Sequence, residues 1–269
     1  MEKGVPIRAV SRSIEVLKLI NRLGSATLTD VARQAGLPYP TAVRIVQTLV
    51  HEGLVEGERD RKRYRATRMV QALALGYHDE GALIDAAREP MAETTRRIGW
   101  PLTVTTAVGP SVMIRDSTYD MSALTFNRYY RGYTFPVLEC AAGHVHLSFC
   151  DDVTRDSLLV GLQQMGTGSE ALEDFKSGQL RERIRKAGYA THDRTLRTEN
   201  PGKTSSMAAP VMVAGREQAQ LTLSFFASAM SLEEAERRYV SELLATAELI
   251  GQRLRLGELA NSPDGPDTP

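Results

Sequence analysis

Tyr39, Pro40, Thr41, Arg44 and Gln47 lie in a stretch whose apolar positions, Ala42, Ile45, Val46 and Leu49, recur with helical spacing. The polar set is therefore left on the outer face of a helix. A hydroxyl, a guanidinium and an amide at that spacing suit a nucleic-acid duplex. Thr41 can reach a phosphate or a base edge, and Arg44 can make a two-pronged contact to guanine. Gln47 sits one turn further on, and Tyr39 and Pro40 lie at the helix entrance. Downstream, Arg61, Lys62 and Arg63 crowd the tip of a charged turn, where cations meet phosphates or a minor groove. A solvated face of an ordinary helical domain is the alternative reading of the same residues.

A second cluster, Cys140, His144, His146 and Cys150, raises metal or Cys–His nucleophilic chemistry. If that stretch is helical, His144 and His146 diverge by about 200° and cannot share an ion. No metal and no cofactor are expected, and Cys150 reads as a small buried apolar residue. Phosphate-loop, G-x-S-x-G and H-E-x-x-H motifs are absent from the sequence. No catalytic residue is expected, and an enzyme using Cys140 on a small organic acid stands as the alternative.

These residues need scaffolds to hold them. Ser11 to Leu23 reads as a helix, and Thr27 with Asp30 opens a second. Gly36 turns the chain into a third helix, from Pro40 or Thr41 to just before Gly53. Two short strands around Glu58–Arg65 follow, which completes a winged helix-turn-helix order. Arg68 to Gly76 reads as a linker helix. Ala82–Ile98 is a helix with a break or kink expected at Pro90. Strands are expected at 103–108, 111–115, 124–126, 207–213 and 220–226, with helices at 143–150, 152–165, 180–187 and from Ser231 onward.

Charge divides the chain. The first 75 residues hold 13 Lys+Arg against 7 Asp+Glu, or +6, and the remainder balances this at −6. A basic small domain joined to an acidic larger one suits a polyanionic partner for the first alone. Two cysteines make no disulfide framework, and apolar runs are too short for a bilayer span. A cytoplasmic protein without membrane partners is the expectation.

The sequence resembles the IclR family of bacterial regulators. The resemblance rests on Val10-Ser11-Arg12-Ser13, Leu28-Thr29-Asp30-Val31-Ala32, Thr41-Ala42-Val43-Arg44 and Gly53-Leu54-Val55. Further along it rests on Arg131-Gly132, Ala142-Gly143, Ala187-Gly188-Tyr189 and Met207-Ala208-Ala209-Pro210-Val211. It implies an α+β protein: a winged helix-turn-helix over 1–66, a linker helix over 67–80 and a GAF-like effector domain with an antiparallel sheet over 81–258; residues 259–269, rich in Pro and Asp, read as a disordered tail. It adds Arg12 and Thr29 to the DNA-facing residues. It also implies homodimers or dimers of dimers on a palindromic or repeated double-stranded operator.

For the effector, the resemblance implies that Ala141, Ala142 and Gly143 offer backbone N–H groups to a small carboxylic acid at a helix start. Ser206 aligns with a pocket wall. Thr222 and Ser224 alternate on one strand, so both point to one face. Phe126 and Phe135 suit apolar walls, and Arg115 or Arg128 suits a carboxylate. The stretch from Trp100 to Arg128 looks most like the branch that controls catabolism of aromatic acids such as hydroxyphenylpropionates. A ligand-free dimerisation scaffold is the remaining alternative for this domain. Effector binding is expected to act on the DNA-binding domain through the linker helix.

Overall fold

The computed structural model describes residues 7–58, 62–73, 81–124, 131–165, 169–193 and 204–260. The chain separates into two compact units, Met1–Asp79 and Glu80–Pro269.

In the first unit, α1 (Arg8–Leu23) begins three residues before the expected start and ends on Gly24. Strand β1 (Ala26–Thr27) leads into α2 (Leu28–Gln34). Thr27 and Asp30 form a complete capping box: the Asp30 N–H donates to Thr27 Oγ1 at 3.1 Å, and the Thr27 N–H donates back to Asp30 Oδ2 at 3.3 Å. These bonds satisfy two donors that a helix start otherwise leaves open; the Thr27 hydroxyl also donates to Asp30 Oδ2 at 2.7 Å and, with the Thr27 N–H, holds the Asp30 carboxyl below its usual pKa. Gly36 takes φ +61° in the turn to α3 (Tyr39–His51), the left-handed region that glycine enters without strain. Strands β2 (Val55–Gly57) and β3 (Arg63–Ala66) complete a three-stranded sheet of order β1-β3-β2. Short strand β1 was not anticipated, because two residues carry no periodicity. One apolar core joins Val16 and Ile20 of α1, Val31 of α2, the expected Ala42, Ile45, Val46 and Leu49 of α3, and Val55 of β2. Of the linker helix, α4 covers Met69–Ala72, and 74–80 lie outside the described residues.

The second unit opens with α5 (Gly81–Ile98), which runs on through a buried Pro90. Strands β4 (Leu102–Val108), β5 (Ser111–Ser117) and β6 (Thr134–Pro136) follow. Helices α6 (Ala141–Phe149), α7 (Asp152–Gln164), α8 (Glu170–Lys176) and α9 (Gln179–Ala187) come next. The chain returns through β7 (Ala190–His192), β8 (Thr204–Val213) and β9 (Arg216–Phe226), and closes with α10 (Leu232–Ala260). The six strands form one antiparallel sheet of order β6-β5-β4-β9-β8-β7. The α+β expectation holds. Strands β6 and β7 and helix α8 are additions to it. At the strand expected over 124–126, Leu124 lies in a bend, and Thr125 and Phe126 fall outside the described residues.

The sheet is covered on both faces. One face presents Val104, Met207, Ala209, Val211, Leu221 and Leu223 to α5 and α10. The other presents Val112, Ala190 and Ala208 to α6 and α9. Period-two alternation makes both faces possible from the same strands. Two glycines allow close backbone approach, Gly143 to the turn before α6 and Gly251 to β8. A Cβ at Gly143 of α6 would stand 2.1 Å from the Val137 carbonyl oxygen, and one at Gly251 of α10 would stand 2.4 Å from that of Met212.

Candidate nucleic-acid interface and ligand cavity

The α3 surface follows directly from its buried stripe. Ala42, Ile45, Val46 and Leu49 face the core, so Tyr39, Pro40, Arg44, Gln47 and Thr48 are exposed and Thr41 is half-buried at the edge. Thr41, Arg44 and Gln47 stand on one side at three-residue steps. Arg44 has no ion-pair partner among the described residues, so its guanidinium stays open to a duplex. Arg12 of α1 and Thr29 of α2 are likewise exposed.

The wing is only partly as expected. Lys62 is exposed at the turn, with φ +46°. Arg61 lies outside the described residues. Arg63 departs from the expected role: its Nε donates to Ser25 Oγ at 2.9 Å and its Nη2 to the Ser25 carbonyl at 2.6 Å. Pairing of β3 with β1 turns this side chain inward to brace the sheet. Arg65, which sequence reasoning passed over, is the exposed arginine of β3, in an ion pair with Glu56 at 2.7 Å.

Residues 9–59 match the helix-turn-helix domain of the IclR family. The solved structures similar to the whole chain include the IclR of Thermotoga maritima (19% identity, 92% of this chain and 99% of that one, TM-score 0.61). An IclR family regulator from Brucella abortus is similar at 18% identity, with 92% of both chains covered and a TM-score of 0.61. An IclR homologue from Microbacterium hydrocarbonoxydans, complexed with 4-hydroxybenzoate, is similar at 20% identity over 92% of this chain and 99% of that one, with a TM-score of 0.65. These likenesses establish a shared fold that carries the IclR-type domain at its N-terminal end.

The second unit contains a cavity of about 70 Å³ between the sheet and the start of α6. Thr103 and Thr105 of β4, Ser206 of β8 and Thr222 and Ser224 of β9 line its sheet side. Thr103 pairs directly with Thr222, and Ser206 with Ser224, so the hydroxyls stand in rows across neighbouring strands. Glu139, Cys140 and Ala142 border it from the α6 side, and Ile114, Tyr119 and Phe135 supply apolar surface. His192 completes one end; burial pushes its pKa down. The Thr222 hydroxyl oxygen is buried without a hydrogen-bond partner among the described residues.

The structure thus brings Phe135, Ala142, Ser206, Thr222 and Ser224 to one cavity. Other expected effector residues lie elsewhere. Ala141 is packed in the core beneath α6. Gly143 packs against Val137, and its N–H donates to the Cys140 sulfur at 3.3 Å. Arg115 sits at a bulge where β4–β5 pairing skips a residue, and its Nε donates to Thr106 Oγ1 at 2.7 Å. Thr106 alternates with the cavity-lining Thr103 and Thr105, so this contact holds Arg115 on the opposite face. Phe126 and Arg128 lie outside the described residues. Sequence reasoning missed Glu139, His192 and the Thr103–Thr105 pair. The pair was findable, because it repeats the alternation that singled out Thr222 and Ser224.

The Cys–His cluster resolves into separate structural roles. Cys140 caps α6, and burial pushes its thiol up to about 12, far from an activated nucleophile. His144 Nε2 lies 3.1 Å from the Leu138 carbonyl oxygen, and its pKa falls to about 4, chiefly through burial. His146 Nδ1 lies 3.0 Å from Glu217 Oε2. No group of three candidate metal ligands occurs among the described residues.

Proposed function

We propose that this chain is a sequence-selective regulator of transcription that places α3 in the major groove of a double-stranded operator. The observation that supports this most strongly is the open Thr41–Arg44–Gln47 face on an IclR-type helix-turn-helix. Lys62 and Arg61 at the wing add phosphate contacts, with Arg12, Thr29, Tyr39 and Pro40 around the helix entrance. The protein acts as a homodimer or dimer of dimers, so its operator carries two half-sites one helical turn or a multiple apart. It works in the cytoplasm, where the bacterial chromosome lies. Among the described residues no helix is long and apolar enough to cross a membrane.

The second unit serves as the sensor, with a small-molecule effector in the cavity against Thr222, Ser224 and Ser206. Its occupancy shifts operator affinity through the linker around α4, because a ligand that prefers one of two states moves the balance between them. An aromatic carboxylic acid is the second reading of the effector. It is favoured by the bound 4-hydroxybenzoate of the similar Microbacterium hydrocarbonoxydans protein and by the apolar wall of Phe135 and Ile114. The chain works as a regulator and not as an enzyme, in keeping with the inert Cys140 thiol.

The test is selection of operator sequences from a random duplex pool by the full chain, followed by fluorescence anisotropy. Recovery of a two-half-site sequence whose affinity falls with Arg44→Ala supports the reading. Binding that is equal for all duplexes would refute it.

A further inference from the structure

We infer that the cavity selects a small uncharged molecule that carries hydrogen-bonding groups along one edge, and that Glu139 and Thr222 set this preference. The inference rests on reading the cavity as the effector site and narrows the ligand class.

Thr222 is 8% exposed, and its hydroxyl oxygen has no partner among the described residues. A buried hydroxyl left unpaired is costly, so a ligand atom that donates to it or accepts from it gains affinity there. Ser224 lies two residues along the same strand, opposite Ser206 on β8, so several hydroxyls face the ligand on one side. Such a row recognises alcohols and amides, which both donate and accept.

The charge of the wall decides between neutral and anionic ligands. Glu139 is a carboxylate, and no lysine or arginine borders the cavity among the described residues. Burial disfavours the protonated form of His192, so that ring does not offset Glu139. Arg115 is held on the other face of the sheet by Thr106. The Gly143 N–H at the α6 start is occupied by the Cys140 sulfur. An incoming anion therefore meets like charge in a partly desolvated space, where repulsion is screened far less than in water. Size points the same way as composition. At about 70 Å³ the cavity is smaller than the apolar cavity of about 150 Å³ that holds benzene, so a ligand of a few heavy atoms fits without rearrangement.

The experiment uses matched pairs of near-equal shape that differ in charge: lactamide with lactate, and acetamide with acetate. Calorimetry and thermal shift are measured on the full chain at pH 7.5. The amide of at least one pair is expected to bind about tenfold or more tightly than its carboxylate. Glu139→Gln is expected to close or reverse that gap. Thr222→Val is expected to weaken the amide by about tenfold while leaving the ligand-free melting temperature level or higher, since it removes an unpaired hydroxyl without changing volume. Tighter binding of the carboxylates, no response to Glu139→Gln, or no binding by either member of either pair overturns the inference. Operator anisotropy on the same preparation separates the two readings. Intact DNA binding with the wrong ligand preference overturns only this inference, and lost DNA binding overturns the regulator reading itself.

Discussion

Arg44→Ala is the perturbation that most directly tests the DNA-binding surface. The Arg44 side chain is exposed and makes no ion pair among the described residues, so its removal opens no cavity and strands no buried partner. Folding stability should change by no more than about 0.5 kcal/mol. A two-pronged contact to guanine contributes roughly 1–3 kcal/mol of base discrimination, so operator affinity should fall about 5- to 150-fold per half-site. Affinity for an unrelated duplex should fall far less. Lys62→Ala supplies the contrast: a lost phosphate contact weakens all duplexes alike and reduces the slope of log K against log salt by about one. Anisotropy titrations across a salt series, with operator and scrambled duplexes side by side, read both effects. Equal loss on the two duplexes for Arg44→Ala would refute base recognition by this residue, and a matching drop in melting temperature would show that it serves the fold instead.

Three further outcomes follow from the second unit and its packing. His144 is neutral in the folded protein, with its pKa down from 6.5 to about 4, so the unfolded chain binds the extra proton between those values. Its contribution is complete above about pH 6.5, falls as the pH drops toward 4, and amounts to about 3 kcal/mol across that window. Urea unfolding from pH 7 to 4 should show this loss, and His144→Gln should flatten the curve in the window. Gly143→Ala should lower stability by about 1–3 kcal/mol, because the new Cβ meets the Val137 carbonyl, whereas Gly161→Ala, on α7 with open space around it, should raise it by about 0.5–1 kcal/mol; calorimetric melting of the pair checks both signs. With its thiol at about 12, Cys140 should resist iodoacetamide at pH 8 in the native protein and react promptly in urea, a contrast that mass spectrometry reads; rapid native labelling would revive the nucleophile hypothesis.

Much of the first unit was legible because its information is local. The α3 stripe of Ala42, Ile45, Val46 and Leu49 is a periodicity within one helix, and Thr27 and Asp30 make their cap across three residues. Once the stripe is buried, helical geometry leaves Arg44 and Gln47 outside, and no distant residue is needed to place them. The same logic put Thr222 and Ser224 on one face of a strand.

Tertiary structure decided what depended on pairing and approach between distant segments. Arg63 left the wing surface because β1, a strand too short to announce itself, brings Ser25 to its guanidinium. Alternation along β5 sets Arg115 on the face opposite Ile114, and only the docked sheet shows that Ile114 faces the cavity while Arg115 meets Thr106 on the other side. Glu139 became a cavity residue because the turn at 137–139 packs against the start of α6, an approach to Val137 that Gly143 permits by lacking a side chain. Periodicity assigns a side chain to a face of its own element, and only the packing of elements determines what that face meets.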